Sequence, residues 1–280
     1  MQSSMPQPST TLLGRARLAA VVGTCLALLL ASCQNQPQPQ PGTVDRVGLI
    51  LLNQAAATGA PIGQASFVAL TAARAEELMS SPFGTQVGTC VVSTATAPAT
   101  GTVGTGAGGS RLNAGDILFS TGSGTYGLLE REDDGRYTMH TTEPLPTTGL
   151  RLRLVGTGAF PAFTNVAINT GTAPELAPGF DPAAVTVDSE FGWTPGSAGS
   201  AVLLVGTGTG TAGVVAYSCL AQDDLGHFEF PETARADLAA AGFTTGSLDT
   251  LARVSTTQAR SGTALLLVNS LRTTYLGGDR

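Results

Sequence analysis

The side chains that could do chemistry are few in this chain, and their types limit what that chemistry can be. The sequence contains no lysine, which excludes mechanisms that need a lysine amine, such as Schiff-base chemistry or a phosphate-binding P-loop. Its two histidines, His140 and His227, are too few for a histidine-rich zinc site within one chain. A Ser-His-Asp set would have to recruit one of them, and the Gly-x-Ser-x-Gly nucleophile motif does not occur. We expect both to be surface or half-buried strand residues.

Carboxylates form the densest groups of titratable side chains. Asp133 and Asp134 crowd one predicted turn beside two glutamates, and Asp223 and Asp224 crowd another. Such oxygens could bind Ca²⁺, or two of them could serve as the acid and base of a glycoside hydrolase. The regular spacing of a calcium loop is absent, and aromatic residues make up only 5% of the chain, which is few for a sugar-binding cleft. We therefore favour solvated turn residues and keep a weak metal site and a hydrolase as alternatives.

Two glycine-rich strings, 104–109 and 208–213, match the Gly-x-Gly-x-x-Gly fingerprint of dinucleotide-binding proteins. That fingerprint works only where a helix follows, because the helix N-terminus faces the pyrophosphate. Low-complexity sequence follows the first string, and the strand-like Val214–Tyr217 follows the second. We predict flexible loops at both places and no nucleotide cofactor.

The N-terminus has the organisation of a bacterial export signal. Arg15 and Arg17 precede an apolar run over 18–30, and small residues then lead into Cys33. The run is shorter than the roughly 20 residues that a membrane-spanning helix needs. The segment Leu30–Cys33 resembles the lipobox of bacterial lipoproteins. The resemblance implies that a diacylglycerol is attached to the Cys33 thiol and that residues 1–32 are removed, whereas an ordinary signal peptide is the alternative.

The residues after Cys33 predict how the remaining chain is held. Residues 34–43 are rich in glutamine and proline, which favours an extended tether without a core of its own. The lipoprotein resemblance implies a location in the bacterial cell envelope, at the outer membrane or the outer face of the cell membrane. Gln34 stands where an aspartate would signal retention in the inner membrane, which favours the outer membrane. The expected partners are the membrane itself, through the lipid, and an envelope protein or glycan.

Cys90 and Cys219 are the two cysteines left in the exported chain, and both have apolar, strand-like neighbours. Disulfides persist in exported proteins, and a bond here would close a long loop that the chain-entropy model values at roughly 4–5 kcal/mol. The alternative is two separate buried thiols that pack as small hydrophobes. Neither cysteine has a basic sequence neighbour that would activate it as a nucleophile. We predict the disulfide.

Many short apolar segments separated by turn residues predict an all-β, mainly antiparallel protein with two short helices, over 71–80 and 232–241. We place an N-terminal β-rich domain at 44–180, with a mobile loop at 94–114, and a C-terminal domain at 183–280. We expect both to be β-sandwiches. Turn-forming residues at Glu132–Gly135 predict a hairpin most clearly. Leucine and arginine alternate strictly at Leu150–Leu154, which predicts a strand with one buried face.

Tyr217 and Cys219 have the Tyr-x-Cys spacing of an immunoglobulin-type strand, and Trp193 could be the core tryptophan. Residues 185–275 thus resemble an immunoglobulin-like or fibronectin-III-like domain. The resemblance implies a tyrosine corner and a buried tryptophan. The chain departs from the family because no cysteine precedes Trp193 within this domain.

The net charge is −6 and the sequence has no basic patch, so we do not expect the chain to bind nucleic acid. The sequence therefore predicts a membrane-anchored envelope lipoprotein that acts as a non-catalytic structural or binding module without a cofactor. The alternatives are a secreted hydrolase that uses the acidic turns and a Ca²⁺- or ligand-binding envelope protein.

Overall fold

A computed structural model describes residues 44–55, 60–71, 86–95, 111–133, 135–197, 199–211 and 213–276. Within these residues, twelve strands form one large sheet, two strands form a small sheet, and one α-helix is present. The predicted all-β class is confirmed, whereas the sandwich and immunoglobulin-like details stay predictions. The export signal, Cys33 and the tether lie outside the described residues, as does the predicted helix over 71–80 except for Thr71.

The elements, in chain order, are β1 (Arg46–Gln54), β2 (Ile62–Ala69), β3 (Thr89–Ala95), β4 (Ile117–Thr121), β5 (Gly124–Arg131), β6 (Tyr137–His140), β7 (Arg151–Leu154), β8 (Phe163–Ala167), β9 (Glu190–Gly192), β10 (Ser200–Gly210), β11 (Gly213–Gln222), β12 (His227–Glu229), α1 (Glu232–Ala240), β13 (Thr245–Ser261) and β14 (Ala264–Tyr275).

The large sheet has the order β3-β11-β10-β13-β14-β1-β2-β6-β5-β4-β7-β8, and the small sheet pairs β12 with β9. Neighbouring strands are antiparallel except β1 and β14, which run parallel from Arg46 opposite Ala264 to Gln54 opposite Arg272. The sheet is therefore mixed, although mainly antiparallel as predicted. Strand pairing continues across the predicted boundary at 180–183, and the division into two domains stays a prediction.

Three local predictions are confirmed. The hairpin between β5 and β6 turns at Glu132–Gly135, where the Gly135 N–H donates to the Glu132 carbonyl and Gly135 has φ of 81°. Strand β7 alternates between exposed arginines and buried leucines. Helix α1 begins after Pro231, and Gly242 follows it with φ of 67°, as a left-handed C-terminal glycine does.

The prediction of a flexible loop at the second glycine-rich string, 208–213, is wrong. Strand β10 continues to Gly210, and β11 begins at Gly213 directly opposite it. Glycines occur here because a β-carbon at Gly206, Gly208 or Gly210 would overlap atoms of Tyr217, Phe243 or Ala241. The glycines thus let neighbouring groups approach the strand closely, which sequence pattern alone does not distinguish from loop flexibility. The first glycine-rich string, 104–109, lies outside the described residues.

The buried apolar side chains form two main clusters. The first gathers residues of β1, β2, β4–β8 and β14, and Ile50, Phe67, Phe119 and Leu152 are among them. The second lies between the β10–β11–β13 part of the large sheet and the segment that carries Trp193, the small sheet and α1.

Buried polar side chains lie between these two clusters along β13 and β14. Arg253 and Ser255 follow Leu251 of the second cluster on β13, and Ser270 and Arg272 follow Val268 of the first on β14. Because alternate strand residues face one side of a sheet, these polar residues share the face that carries both clusters.

Candidate functional site

The two cysteines that the sequence singles out lie directly opposite each other on neighbouring strands. Cys90 on β3 pairs in register with Cys219 on β11, and their Sγ atoms are 2.05 Å apart, the separation of a disulfide bond. The bond joins positions 129 residues apart in the chain. It connects two adjacent strands of one sheet, so its effect is to hold β3 against β11.

A buried carboxylate, Asp223, is the centre of a buried polar group. It follows β11 at the first position of a short 3₁₀ turn, and it is fully inaccessible to solvent. Oδ2 accepts hydrogen bonds from Arg253 Nε at 2.6 Å and from Ser200 Oγ at 2.5 Å. Oδ1 accepts from the Gly196 N–H and from Trp193 Nε1, each at 3.1 Å. A second guanidinium nitrogen, Nη2, lies 3.1 Å from Oδ1.

Arg253 extends this group to two further segments. Its Nη2 donates to the Thr194 carbonyl at 2.6 Å, and its Nη1 donates to the Thr172 carbonyl at 3.0 Å. Only 5% of the Arg253 side chain is exposed. The guanidinium therefore neutralises Asp223 and at the same time ties β13 to the loops at 172 and 194.

The electrostatics of Asp223 follow from these contacts. Burial alone raises the pKa of this carboxyl, because removal from water disfavours its charged form. The hydrogen bonds from Arg253 and Ser200, the positive charge of Arg253 and the Gly196 N–H outweigh burial and hold the pKa below its usual value. Asp223 is therefore an ionised, paired carboxylate at neutral pH, and it does not have the raised pKa of a general acid.

The lack of a side chain at Gly196 lets the backbone come close to the Asp223 carboxylate and the Arg253 guanidinium. A β-carbon on Gly196 would overlap the Asp223 carboxylate and lie 2.6 Å from Arg253 Nε. Residue 196 must therefore be glycine for its N–H to reach the carboxylate while the guanidinium occupies the same space.

A second buried arginine, Arg272, lies opposite Arg253 on the neighbouring strand β14. In the described part of the chain its hydrogen-bond partners are neutral oxygens: the Gln54 side chain and the carbonyls of Leu145 at 2.5 Å, Pro146 at 3.0 Å and Thr170 at 3.4 Å. Burial lowers the pKa of this guanidinium, and Tyr126 partly counteracts that effect. The carbonyls spread the positive charge and anchor the loops at 145–146 and 170 to the sheet.

The structure does not bring the described acidic candidates, Asp133, Asp223 and Asp224, into one site. Asp224 and Asp133 are exposed, and Asp134 lies outside the described residues. The interpretation of Asp223 as a solvated turn residue is wrong, since it is buried and paired with Arg253. The two acidic turns follow β5 and β11, which six strands separate in the sheet order. Among the described residues, no group of three or more His, Cys, Asp or Glu side chains is arranged to hold a metal ion.

The remaining candidates are distributed as single residues. His227 is exposed, and its Nδ1 lies 3.0 Å from the Leu225 carbonyl oxygen. His140 ends β6, but its side chain lies outside what the structure describes. Trp193 is buried as predicted, with 3% of its surface exposed, and its indole N–H also donates to the Asp223 carbonyl oxygen at 3.1 Å.

The sequence pattern did not identify the two buried arginines or the residues that hold Asp223. Arg253 and Arg272 each occur within an apolar strand sequence, and a charged residue in such a strand must find an internal partner. That signal points to a buried polar group but does not say which carboxylate or carbonyl joins it. The charges of Asp223 and Arg253 are paired with each other inside the protein. The effect of this polar group is therefore to link β10, β11 and β13 with the loops at 172 and 193–196.

Comparison with known proteins adds no relative: no protein-family model matches the chain, and no curated protein matches its sequence. No helix in the described ranges has the length and apolar character to cross a membrane.

Proposed function

We propose that this chain is a lipid-anchored, non-catalytic structural or binding module of the bacterial cell envelope. The observation that carries the proposal is the segment Leu30–Cys33, preceded by two arginines and an apolar run and followed by the glutamine- and proline-rich tether. In this proposal Cys33 carries the lipid, and the membrane is the first partner. The partner of the folded part is an envelope protein or a glycan.

Two features of the folded part support this proposal. Cys90 and Cys219 form a disulfide, and such bonds persist in the oxidising compartments outside the cytoplasm. The buried charged pair, Asp223 and Arg253, makes hydrogen bonds within the pair and with the backbone. Side chains used in this way stabilise a fold and are not available to a substrate.

We further propose that residues 183–280 form an immunoglobulin-like sandwich layer, as the sequence predicts. The support is the small sheet of β9 and β12, whose Phe191 packs in one cluster with Trp193 and with Tyr217 of the large sheet. The Tyr217 hydroxyl donates to the Ser247 carbonyl on β13 at 2.9 Å, which differs from the local contact of a tyrosine corner. An experimental structure of the chain would test this assignment.

The anchor is tested by expressing the full chain in bacteria fed with an alkyne analogue of palmitate. We expect the wild-type protein to incorporate the label and to collect in the membrane fraction. Cys33→Ser should remain unlabelled and keep its signal segment, because serine offers no thiol for the lipid. Cys25→Ser is the matched control, since it removes a cysteine from the same segment without touching the proposed lipid site.

Mass spectrometry of the N-terminus completes this test. A mature protein that begins at lipid-modified Cys33 supports the proposal. An unlabelled wild-type protein, or a Cys33→Ser variant that is labelled as strongly as the wild type, would overturn it.

A further inference from the structure

The large sheet ends in two edge strands, β3 and β8, and they differ in how they are protected. An edge strand presents unpaired N–H and C=O groups that can pair with another chain, and natural proteins usually block such pairing with charges, proline, bulges or short strands. A comparison of the two edges therefore shows which one is suited to a partner.

Strand β8 carries several of these protective features. It has five residues, and its pairing with β7 shifts register between Leu152 and Leu154. Asn165 in its centre has φ of 58°, a left-handed conformation that breaks the regular edge, and Arg151 donates to its side chain at 2.8 Å. Just after the strand, the Asn169 N–H donates to Thr257 on β13.

Strand β3 lacks these four features, although helix α1 packs near it. It has seven residues, and its register with β11 is regular from Thr89 to Ala95. Residues 86–95 contain neither a charged residue nor proline. The disulfide holds the strand in place, and Val91 is 52% exposed on its outer side. Two exposed valines flank this edge with apolar surface. Val87 lies just before β3 in the sequence and is 54% exposed, and Val214 pairs with the last residue of β3 and is 52% exposed.

The disulfide position shows which backbone groups point to the free edge. The Cα atoms of Cys90 and Cys219 are 4.0 Å apart, which identifies the close, non-hydrogen-bonded type of antiparallel pair. The N–H and C=O of Cys90 therefore point away from β11, and by alternation those of Val92 and Thr94 do the same. In the described part of the chain, β11 is the sole partner of β3 in the sheet.

We propose that β3 is a dimerisation edge, which pairs antiparallel with β3 of a second copy across a two-fold axis at Val92. This register places Val92 opposite Val92 of the second copy and Cys90 opposite Thr94 of the second copy. Every outward-facing residue then meets an outward-facing residue, and the three pairs form about six backbone hydrogen bonds. A two-fold contact of this kind closes on itself and leaves the protected β8 edges outside.

A second copy fits this edge better than a charged partner does. The strand is uncharged and rich in β-branched residues, so it is complementary to itself, whereas a charged peptide would find no counter-charge along 86–95. Each copy has a net charge of −6, which opposes association until salt screens it. Dimerisation should therefore strengthen as salt rises. The interface is small and belongs to the weak class, and it does not require the lipid anchor.

The test uses the full chain in a neutral, density-matched detergent. Sedimentation equilibrium should show a monomer that becomes a dimer as protein concentration rises. Hydrogen exchange under the same conditions should show that the amides of Cys90, Val92 and Thr94 become protected with concentration, while those of β8 do not change. A chain that stays monomeric throughout, or a dimer whose 89–95 amides exchange as fast as in the monomer, would overturn the proposal.

Two variants locate the contact. Val91→Lys and Thr94→Lys each place a charge on exposed positions of β3, as protected edges do, and should raise the dimer dissociation constant at least about tenfold. Ile62→Lys is the matched control, because Ile62 is 64% exposed on β2, an internal strand, and dimerisation should be unchanged. Circular dichroism and a thiol count verify folding. If one β3 variant does not fold, the other decides, and wild-type dimerisation in a folded β3 variant would contradict the assignment.

Discussion

At the scale of single residues, the fold depends on how Asp223 is surrounded. Its sequence context, Asp-Asp-Leu-Gly, is that of an ordinary exposed turn, and the neighbouring Asp224 is exposed in this way. What distinguishes Asp223 is a partner 30 residues away, Arg253, together with Ser200 and the Gly196 backbone. The sequence identifies the turn correctly but not the buried pair, because the signal for the pair is divided between distant strands.

We expect Asp223→Asn to destabilise the fold by about 3–5 kcal/mol, since it leaves the buried Arg253 guanidinium without its counter-charge. Urea unfolding followed by tryptophan fluorescence measures the loss, and Trp193, the single tryptophan of the chain, contacts this carboxylate directly. Asp224→Asn changes the same residue type at the adjacent exposed position and should stay within about 0.5 kcal/mol of the wild type. Equal stability of the two variants would contradict a structural role for the pair.

The effect of Asp223→Asn on stability should depend on pH. The pKa of Asp223 is lowered in the folded protein, so its contribution to stability is complete above the unfolded-state pKa of about 4 and disappears as pH falls through the folded-state pKa. The stability difference between the wild type and Asp223→Asn should therefore be largest near neutral pH and shrink below about pH 4. A difference that stays constant down to strongly acidic pH would show that packing, and not charge, is what the substitution removes.

At the scale of elements, strand patterns and turn chemistry were predictable where they are local. The alternation at β7, the Glu132–Gly135 hairpin and the limits of α1 all depend on residues close together in sequence. The extension of β10 to Gly210 was not predictable, because its glycines have no side-chain pattern and their role lies in the atoms that approach them. Strand partners were equally inaccessible, since an apolar run indicates a strand but not its neighbour.

At the scale of elements, the disulfide leads to a prediction about how firmly β3 is attached to the sheet. Strand β3 has β11 as its only strand neighbour in the described sheet, so the bond between Cys90 and Cys219 should decide whether β3 stays attached. In a Cys90→Ser, Cys219→Ser double variant, the chain-entropy model gives a stability loss of up to roughly 4–5 kcal/mol. Hydrogen exchange at a concentration where the protein is monomeric should show the β3 amides exchanging first.

The β8 edge is the internal control for this experiment. It carries no cysteine and is tied to β7 and to the β13 region by its own contacts, so its exchange under native conditions should change less than that of β3. Unchanged exchange at β3 would mean that the strand is held by its hydrogen bonds and packing alone.

At the scale of the whole molecule, the parallel pairing of β1 with β14 joins the first described strand to the last. The two apolar clusters therefore share the sheet formed by β13 and β14, with Arg253 and Arg272 side by side between them. Shared strands couple the stabilities of the clusters, because neither can lose its sheet without disturbing the other. The sequence could not show this, since it predicts two domains with a boundary at 180–183 and contains no signal for which distant strands pair.

Phe119→Ala tests this coupling. Phe119 is fully buried in the first cluster, and its truncation should cost about 3–5 kcal/mol. Trp193 lies in the second cluster and reports unfolding there. If the clusters are coupled, the unfolding transition of Phe119→Ala followed by tryptophan fluorescence should shift to a lower urea concentration. The transition followed by circular dichroism should shift with it. Val155→Ala, at a position 46% exposed, should leave both transitions in place. If the tryptophan transition of Phe119→Ala matches that of the wild type while circular dichroism shows an earlier loss of strand signal, the two halves unfold independently, as two separate domains would.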